Sequence, residues 1–301
     1  MYIIDGKQLA NELKESIKNF AKTEIEKYGA PKLAMIVVGN NPASATYVRN
    51  KKRALEEVGF EYEEFHYDED VTESKLIEVI QFLNGSEEYH GIFVQFPLPK
   101  HLNEQYISGF IHPDKDVDGF TDRNVAGNVK GTRCFVPCTA KACDIIIDHA
   151  VQKLYGSSCD NQTTNPMLGA HVVIIGRSDI VGKPLSHFLT NRNYTVTVCH
   201  SKTPKDVLTS LCRQASVVVV AAGVPNLLTA EMVKPGAIVI DVGINFIEID
   251  GKRKMVGDVD FENIKDVAGA ITPVPGGVGP LTVANLVSNL YSAYSLQILT
   301  K

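Results

Sequence analysis

The 301-residue sequence predicts a two-domain α/β protein built on parallel sheets. Three observations predict it. Short apolar runs alternate with longer segments of helical periodicity, the pattern of strands joined by crossover helices. The alternation runs twice, before and after a Pro/Gly/Asp-rich break at residues 112–119. The length suits about two domains of roughly 100–200 residues each, and 44% hydrophobic with 22% charged residues is enough apolar material for real cores.

Element by element, Leu9, Leu13, Ile17, Phe20 and Ile25 fall at helical spacing over residues 7–28, ending at Gly29. Residues 32–38 read as a buried strand, 43–58 as a helix stopped by Gly59, 60–67 as a strand and 72–83 as a helix. Residues 91–95 form another short strand, and Pro97-Leu98-Pro99 must leave regular structure. After the break a helix is expected over 138–153 with Thr139 as its N-cap, then a long polar surface loop over 154–168. The second series has strands at 171–175, 195–199, 217–221 and 237–242, helices at 181–189 and 205–213, and a final helix at 281–298. The expected division is 1–140 for the first domain and 141–280 for the second, with 281–301 packing back onto the first.

Several function classes are excluded or disfavoured. A net charge of −5, from 30 basic and 35 acidic residues, argues against a general nucleic-acid binder. No apolar stretch approaches the length of a membrane span. The N-terminus shows no signal or transit pattern, so a cytoplasmic protein is expected. Six cysteines without a C-x-x-C pair, and histidines without H-E-x-x-H, predict reduced thiols and no metal site.

The segment His171-Val-Val-Ile-Ile-Gly176-Arg177-Ser178-Asp179-Ile180-Val181-Gly182-Lys183-Pro184 has the order strand, glycine turn, helix start that a dinucleotide pyrophosphate needs. The match to G-x-G-x-x-G is imperfect, since Ser178 takes the second glycine position and Gly182 stands one place late. A Walker A loop is excluded by the wrong spacing and by Pro184 where a magnesium-binding hydroxyl belongs. A generic strand-to-helix turn is the plainer alternative. NAD sites place an acid about 20 residues on, at the end of the next strand. Here that strand ends in Val198-Cys199-His200-Ser201-Lys202 with no acid, while Arg177 follows the first glycine. A guanidinium and hydroxyls suit a 2′-phosphate, so NADP is favoured over NAD.

A second constellation lies in the first half. Tyr47 and Lys51 are four apart on a helix and share a face, with Ser44 one turn earlier. An aromatic ring beside an amine could stack a flat substrate and move a proton; a solvated surface pair is the alternative. Gln95 ends a buried strand, where α/β folds place ligands, or else caps nearby backbone. Asp118, in Pro113-Asp-Lys-Asp-Val-Asp118-Gly119, could accept paired N–H groups from a heterocycle or serve turn chemistry alone. The tail segment from Thr272 to Thr282 brings glycines between prolines to the start of the last helix, backbone that can approach a ligand closely or merely turn between domains.

Together these segments closely resemble the bifunctional methylenetetrahydrofolate dehydrogenase/methenyltetrahydrofolate cyclohydrolase family. The likeness runs through Val38–Lys51, Gly91–Pro99, His112–Phe120, Pro137-Cys-Thr139, Gly176–Pro184, Cys199–Thr203, Asp241–Asn245, Val256–Val259 and Thr272–Thr282, in order over nearly the whole chain. The resemblance implies a Rossmann-type NADP domain behind a catalytic domain, a cleft between them, and a homodimer acting on folate. It implies that Lys51 is the catalytic lysine, Gln95 its partner, Tyr47 the stacking residue and Asp118 the pterin anchor. Substrate contacts are further implied at Ser44, Pro97, Leu98, Gly276, Gly277 and Pro280. Cofactor contacts are implied at Gly176, Arg177, Ser178, Ile180, Val181, Gly182, His200, Ser201, Ala222, Gly223, Ile244, Gly279 and Thr282.

The sequence departs from the family pattern at Ala140 and Ala142, where proline and glycine are usual, which predicts a tidier helix start. The 154–168 loop is longer than usual, and the chain is too short for the formate-ligase domain of trifunctional relatives. The alternatives are a folate-binding relative lacking one or both activities and an unrelated NADP dehydrogenase. The set Tyr47, Lys51, Gln95 and Asp118 separates these from the bifunctional reading.

Overall fold

The structure is a computed structural model that describes residues 1–156, 166–249 and 252–299; side chains at 42–44, 249 and 252 are outside that description. In chain order the elements are β1 (Tyr2–Ile3), α1 (Gly6–Tyr28), β2 (Lys32–Val38), α2 (Pro42–Val58), β3 (Glu61–Tyr67), α3 (Glu73–Gly85), β4 (Gly91–Val94), α4 (Glu104–Ser108), α5 (Asp122–Lys130) and α6 (Cys138–Tyr155). There follow β5 (His171–Ile175), α7 (Gly182–Asn191), β6 (Thr195–Cys199), α8 (Lys205–Gln214), β7 (Val217–Val220), β8 (Ile238–Asp241), β9 (Asn245–Ile249), β10 (Lys252–Val256), α9 (Phe261–Ile264), β11 (Ala270–Ile271) and α10 (Val278–Leu299). The expected 154–168 loop falls largely outside the described residues, as does Cys159; Cys134, Cys138, Cys143, Cys199 and Cys212 are free thiols.

The chain divides into two compact units. One comprises residues 10–128, 132–138 and the chain from Val283 onward. Its parallel sheet has the order β3-β2-β4. Both faces of β2 are covered, so its sequence is apolar throughout rather than alternating. Leu33, Met35 and Val37 pack with Ile17, Leu55, Phe93, Leu286 and Leu290, while Ala34, Ile36 and Val38 pack with Leu76, Ile80, Leu83 and Val94. Beyond β4 the backbone of Asp116 makes a further parallel bridge to Ile92, which brings the Pro113–Gly119 segment to the sheet edge.

The other unit comprises residues 1–9, 129–131 and 139–282. Its sheet is parallel in the order β1-β11-β8-β7-β5-β6. After β6 the chain returns across β5 to pair β7 on its far side, so strand order reverses at β5, and a ligand crevice opens at such a point. Val173, Ile175, Val218, Val220 and Val239 form one core with Leu208 and Cys212 of α8.

Residues 1–9 differ from the expected division. They cluster with the second unit because Tyr2–Ile3 adds an edge strand beside β11, with Ile4 N–H donating to Ile271 O at 2.9 Å. The antiparallel pair β9–β10 and the short α4, α5 and α9 are also beyond the sequence expectation. Ala140 and Ala142 lie fully buried in the first turns of α6.

Candidate functional site

Lys51 projects from α2 toward the carboxyl end of β4. Its Nζ donates to Gln95 Oε1 at 3.0 Å and stands 3.7 Å above the centre of the Phe93 ring. Gln95 follows the last residue of β4 and is buried. Its amide N–H₂ donates to the Phe96 carbonyl, so the oxygen is the atom left to face the lysine. Burial dominates the amine's titration. It lowers Lys51 from the ordinary 10.5 to about 8, with the Asp118 carboxylate opposing the shift. The result is a lysine that is largely charged at neutral pH yet able to release its proton near working pH.

Asp118 is half-buried on the Pro113–Gly119 segment. Burial pushes its carboxyl up to about 6, against the pull of the Lys51 charge. Its position is fixed by neighbours that sequence reasoning did not single out. The buried carboxylate of Asp116 accepts from Gly119 N–H at 2.9 Å, Thr121 N–H at 2.8 Å and Asn124 Nδ2 at 2.8 Å, which closes the turn carrying Asp118. On the other side Asn289 of α10 donates to Val117 O at 2.8 Å and to Val136 O at 3.3 Å. Cys138, buried at the start of α6, meets the Asp118 carboxylate; burial first and that negative charge second keep its thiol un-ionised. The Asp-x-Asp spacing of Asp116 and Asp118 was the available signal for the first of these. The roles of Asn289 and Cys138 depend on contacts distant in sequence.

Tyr47 stands one turn before Lys51 on α2 and is 39% exposed, so its ring is open to a ligand. Leu98 is buried, its N–H donating to Glu104 Oε1 at 2.7 Å, and Pro97 beside it is exposed. Ser44 lies on α2, its side chain outside the description. Lys51, Gln95, Asp118, Tyr47, Pro97 and Leu98 thus belong to one unit, whereas Gly276, Gly277 and Pro280 belong to the other.

In that other unit the β5–α7 turn is shaped for close approach. Gly176 has φ +137°, and a Cβ there would lie 2.3 Å from Ala221 O. A Cβ on Gly182 would lie 2.1 Å from Gly176 O, so both glycines are required by the backbone cradle itself. Ser178 Oγ accepts from Val181 N–H at 3.2 Å, and α7 opens with no side-chain cap, leaving helix N–H groups for a phosphate. Arg177, Ser178, Ile180 and Ser201 are exposed and Val181 is buried. His200 turns on itself through its N–H to Thr203 Oγ1 at 3.0 Å. Ala222, Gly223, Ile244 and Gly279 are also exposed, at the carboxyl ends of β7 and β8 and the start of α10. Thr282 is half-buried against Thr139 at 3.4 Å. This cradle fits the pyrophosphate of a dinucleotide. Among the described residues no group of three or more metal-ligating side chains occurs.

Two further acids lie beneath these loops, missed because they work through backbone. Asp241 accepts from Gly243, Asp258 and Val259 N–H at 3.0, 2.9 and 3.0 Å, and its own N–H donates to Thr272 Oγ1 at 2.8 Å. Burial nonetheless dominates and pushes its carboxyl up to about 6. Asp258 accepts from Ala222, Gly223 and Asn245.

Fold and site together define a two-unit α/β enzyme, with a dinucleotide-type cradle in one unit and a desolvated lysine in the other. Comparison with known proteins gives the family. Residues 4–118 match the model of the tetrahydrofolate dehydrogenase/cyclohydrolase catalytic domain, and residues 137–298 that of the same family's NAD(P)-binding domain. The chain is 44% identical over 288 residues to a bifunctional protein FolD of Exiguobacterium sp., covering 95% of this chain and 96% of the relative. Among solved structures it is similar to the bifunctional FolD enzyme of Campylobacter jejuni, with 42% identity, TM-score 0.88 and coverage of 98% and 99% of the two chains. It is likewise similar to the Trypanosoma brucei FolD enzyme complexed with NADP and inhibitor, with 34% identity, TM-score 0.88 and 98% coverage of each. The chain belongs to the tetrahydrofolate dehydrogenase/cyclohydrolase family.

Proposed function

We propose that this chain oxidises 5,10-methylenetetrahydrofolate to the methenyl cation and hydrolyses that cation to 10-formyltetrahydrofolate. The observation that carries this reading is the Lys51 amine, lowered to about 8 and held by Gln95, in a chain of this family. Bound at the Gly176–Gly182 cradle, NADP+ supplies the acceptor for the hydride that leaves the methylene carbon. Arg177 and Ser201 suit its 2′-phosphate, and the strand end after β6 lacks the acid that an NAD ribose would want.

Hydrolysis falls to the residues of the first unit. Tyr47 stacks on the folate ring system, and Asp118 accepts the paired N–H groups of the pterin edge. The neutral Lys51 amine takes a proton from water as its oxygen bonds to the methenyl carbon. Lys51 then hands a proton to the ring nitrogen as the carbon–nitrogen bond breaks, and the remaining hydroxyl proton passes to solvent as the formyl C=O forms. Cation and water thus become formyl-folate and one proton. Gln95 holds the amine in place throughout, and the Phe93 ring beneath it offsets part of the desolvation of the charged form.

The same reading takes residues 1–140 with 281–301 as the catalytic domain and 141–280 as the nucleotide domain, with Gly276, Gly277 and Pro280 as further folate contacts. It takes the chain as a cytoplasmic homodimer; no helix among the described residues is long and apolar enough to cross a membrane. The deciding experiment is a paired assay of wild type and Lys51→Ala. Methylene-folate-dependent reduction of NADP+ and hydrolysis of methenyl-folate would be followed separately. Loss of hydrolysis with residual dehydrogenase activity is expected. A wild type with neither activity would leave the chain a folate-binding relative.

A further inference from the structure

The three amide groups that follow β7 all point inward. Ala221 N–H donates to Ile175 O at 2.8 Å, and Ala222 and Gly223 N–H both donate to Asp258 Oδ2, at 2.7 and 2.8 Å. The other carboxylate oxygen, Oδ1, accepts from Asn245 Nδ2 at 2.7 Å, just after β8. Asp258 is fully buried, and its own N–H donates to Asp241 Oδ1 at 2.9 Å. One carboxylate therefore ties together two loops at the carboxyl edge of the sheet. Charge-assisted bonds of this kind are roughly twice as strong as neutral ones.

This arrangement has a chemical consequence for a ligand. An exposed turn at a strand's carboxyl end usually offers N–H groups to anions. Here those N–H groups are spent on Asp258, and the exposed Ala222-Gly223 turn offers carbonyl oxygens and small apolar surface instead. Such a surface suits neutral donors, not phosphate. Strand order says which donors. In a dinucleotide fold the pyrophosphate sits at the first strand-to-helix turn and the adenosine ribose at the end of the next strand. Those are β5 and β6 here, so the second half of the cofactor lies on the opposite side of β5, over β7 and β8.

Resting on the dinucleotide reading above, we propose that Asp258 is a positioning residue for the nicotinamide half of NADP. It holds the Ala222-Gly223 turn and the Ile244-Asn245 segment in one arrangement and presents acceptors to the nicotinamide ribose and carboxamide. The adenosine half is held independently, at β6.

The test uses full-length protein carrying Asp258→Asn or Asp258→Ala. Titration calorimetry measures binding of NADP+ and of adenosine 2′,5′-bisphosphate, which carries the 2′-phosphate without the nicotinamide half. Methenyl-folate hydrolysis, which consumes no nucleotide, serves as the internal control. The alanine variant is expected to weaken NADP+ by at least about tenfold, losing three charge-assisted bonds. The asparagine variant, whose amide oxygen can still face the turn, should show a smaller loss. The bisphosphate and hydrolysis should stay within about twofold of wild type in both. If the bisphosphate weakens in step with NADP+, or hydrolysis falls in parallel, or NADP+ binding is unmoved, the proposal is overturned. Where the alanine variant does not fold, the asparagine variant decides on the same criteria. Failure of wild type itself to bind NADP+ would instead remove the dinucleotide reading on which the proposal stands.

Discussion

At the scale of single residues, the proposed chemistry centres on Lys51, where two opposing effects meet on one nitrogen. Burial removes the water that would stabilise the ammonium, while Asp118 and the Phe93 face return part of that stabilisation. Burial wins, and the amine titrates near 8. If the free amine accepts the proton of water, hydrolysis should rise with pH with a slope of one below about 8 and level off above it. A pH–rate profile of methenyl-folate hydrolysis checks this; a rate falling as pH rises through 8 would make the ammonium form the active one. The lysine, glutamine and aspartate were all legible in the sequence as residue types at meaningful positions. Their mutual arrangement was not. Asp118 is held by Asp116, Asn124 and Asn289, and the last lies 171 positions from it in the chain.

At the scale of elements, what could be read depended on how completely an element is buried. β2 and β5 have the bounds their apolar runs suggest, because a strand covered on both faces announces itself; β6, at the sheet edge and only partly buried, shows its bounds through the alternation of Thr and Val instead. The β9–β10 pair does not: its Lys, Arg and Glu residues mask the alternation, although Asp250-Gly251 between the strands is a hairpin signal. β1 and β11 are too short for any period to show. Helix α3 shows how ends are secured. Thr72 Oγ1 accepts from Lys75 N–H at 3.3 Å at its start. At its end the buried Lys115 amine donates to Leu83 O at 2.9 Å and Ser86 O at 2.6 Å. Lys115→Met keeps the aliphatic bulk but strands those carbonyls. Urea unfolding should show a loss of about 1–3 kcal/mol, the cost of unmet buried polar groups. Thr72→Ala should cost nearer 1 kcal/mol by the same measurement.

At the scale of the whole molecule, the core of the unit that carries Lys51 depends on the last helix. Leu286, Val287, Leu290 and Ala293 of α10 are buried with Leu33, Met35 and Phe93 of β2 and β4. Leu290→Ala should therefore cost about 2–5 kcal/mol, lowering the thermal transition of that unit. Saturating NADP+ should raise the transition of the nucleotide unit by mass action without restoring the loss. A single transition responding equally to both would mean that the two units unfold as one cooperative block.

The edge strand β1 sets an order on synthesis. Tyr2 and Ile3 pair with Ala270 and Ile271, so an early segment waits for one far later in the chain before its sheet position exists. The core around β2 and β4 waits equally for Leu286 and Leu290. Each unit closes only through contacts of such long sequence separation, which form slowly. Until those late segments have emerged, a nascent chain carries β-edges and apolar faces uncovered, the condition in which a chaperone's shelter matters most.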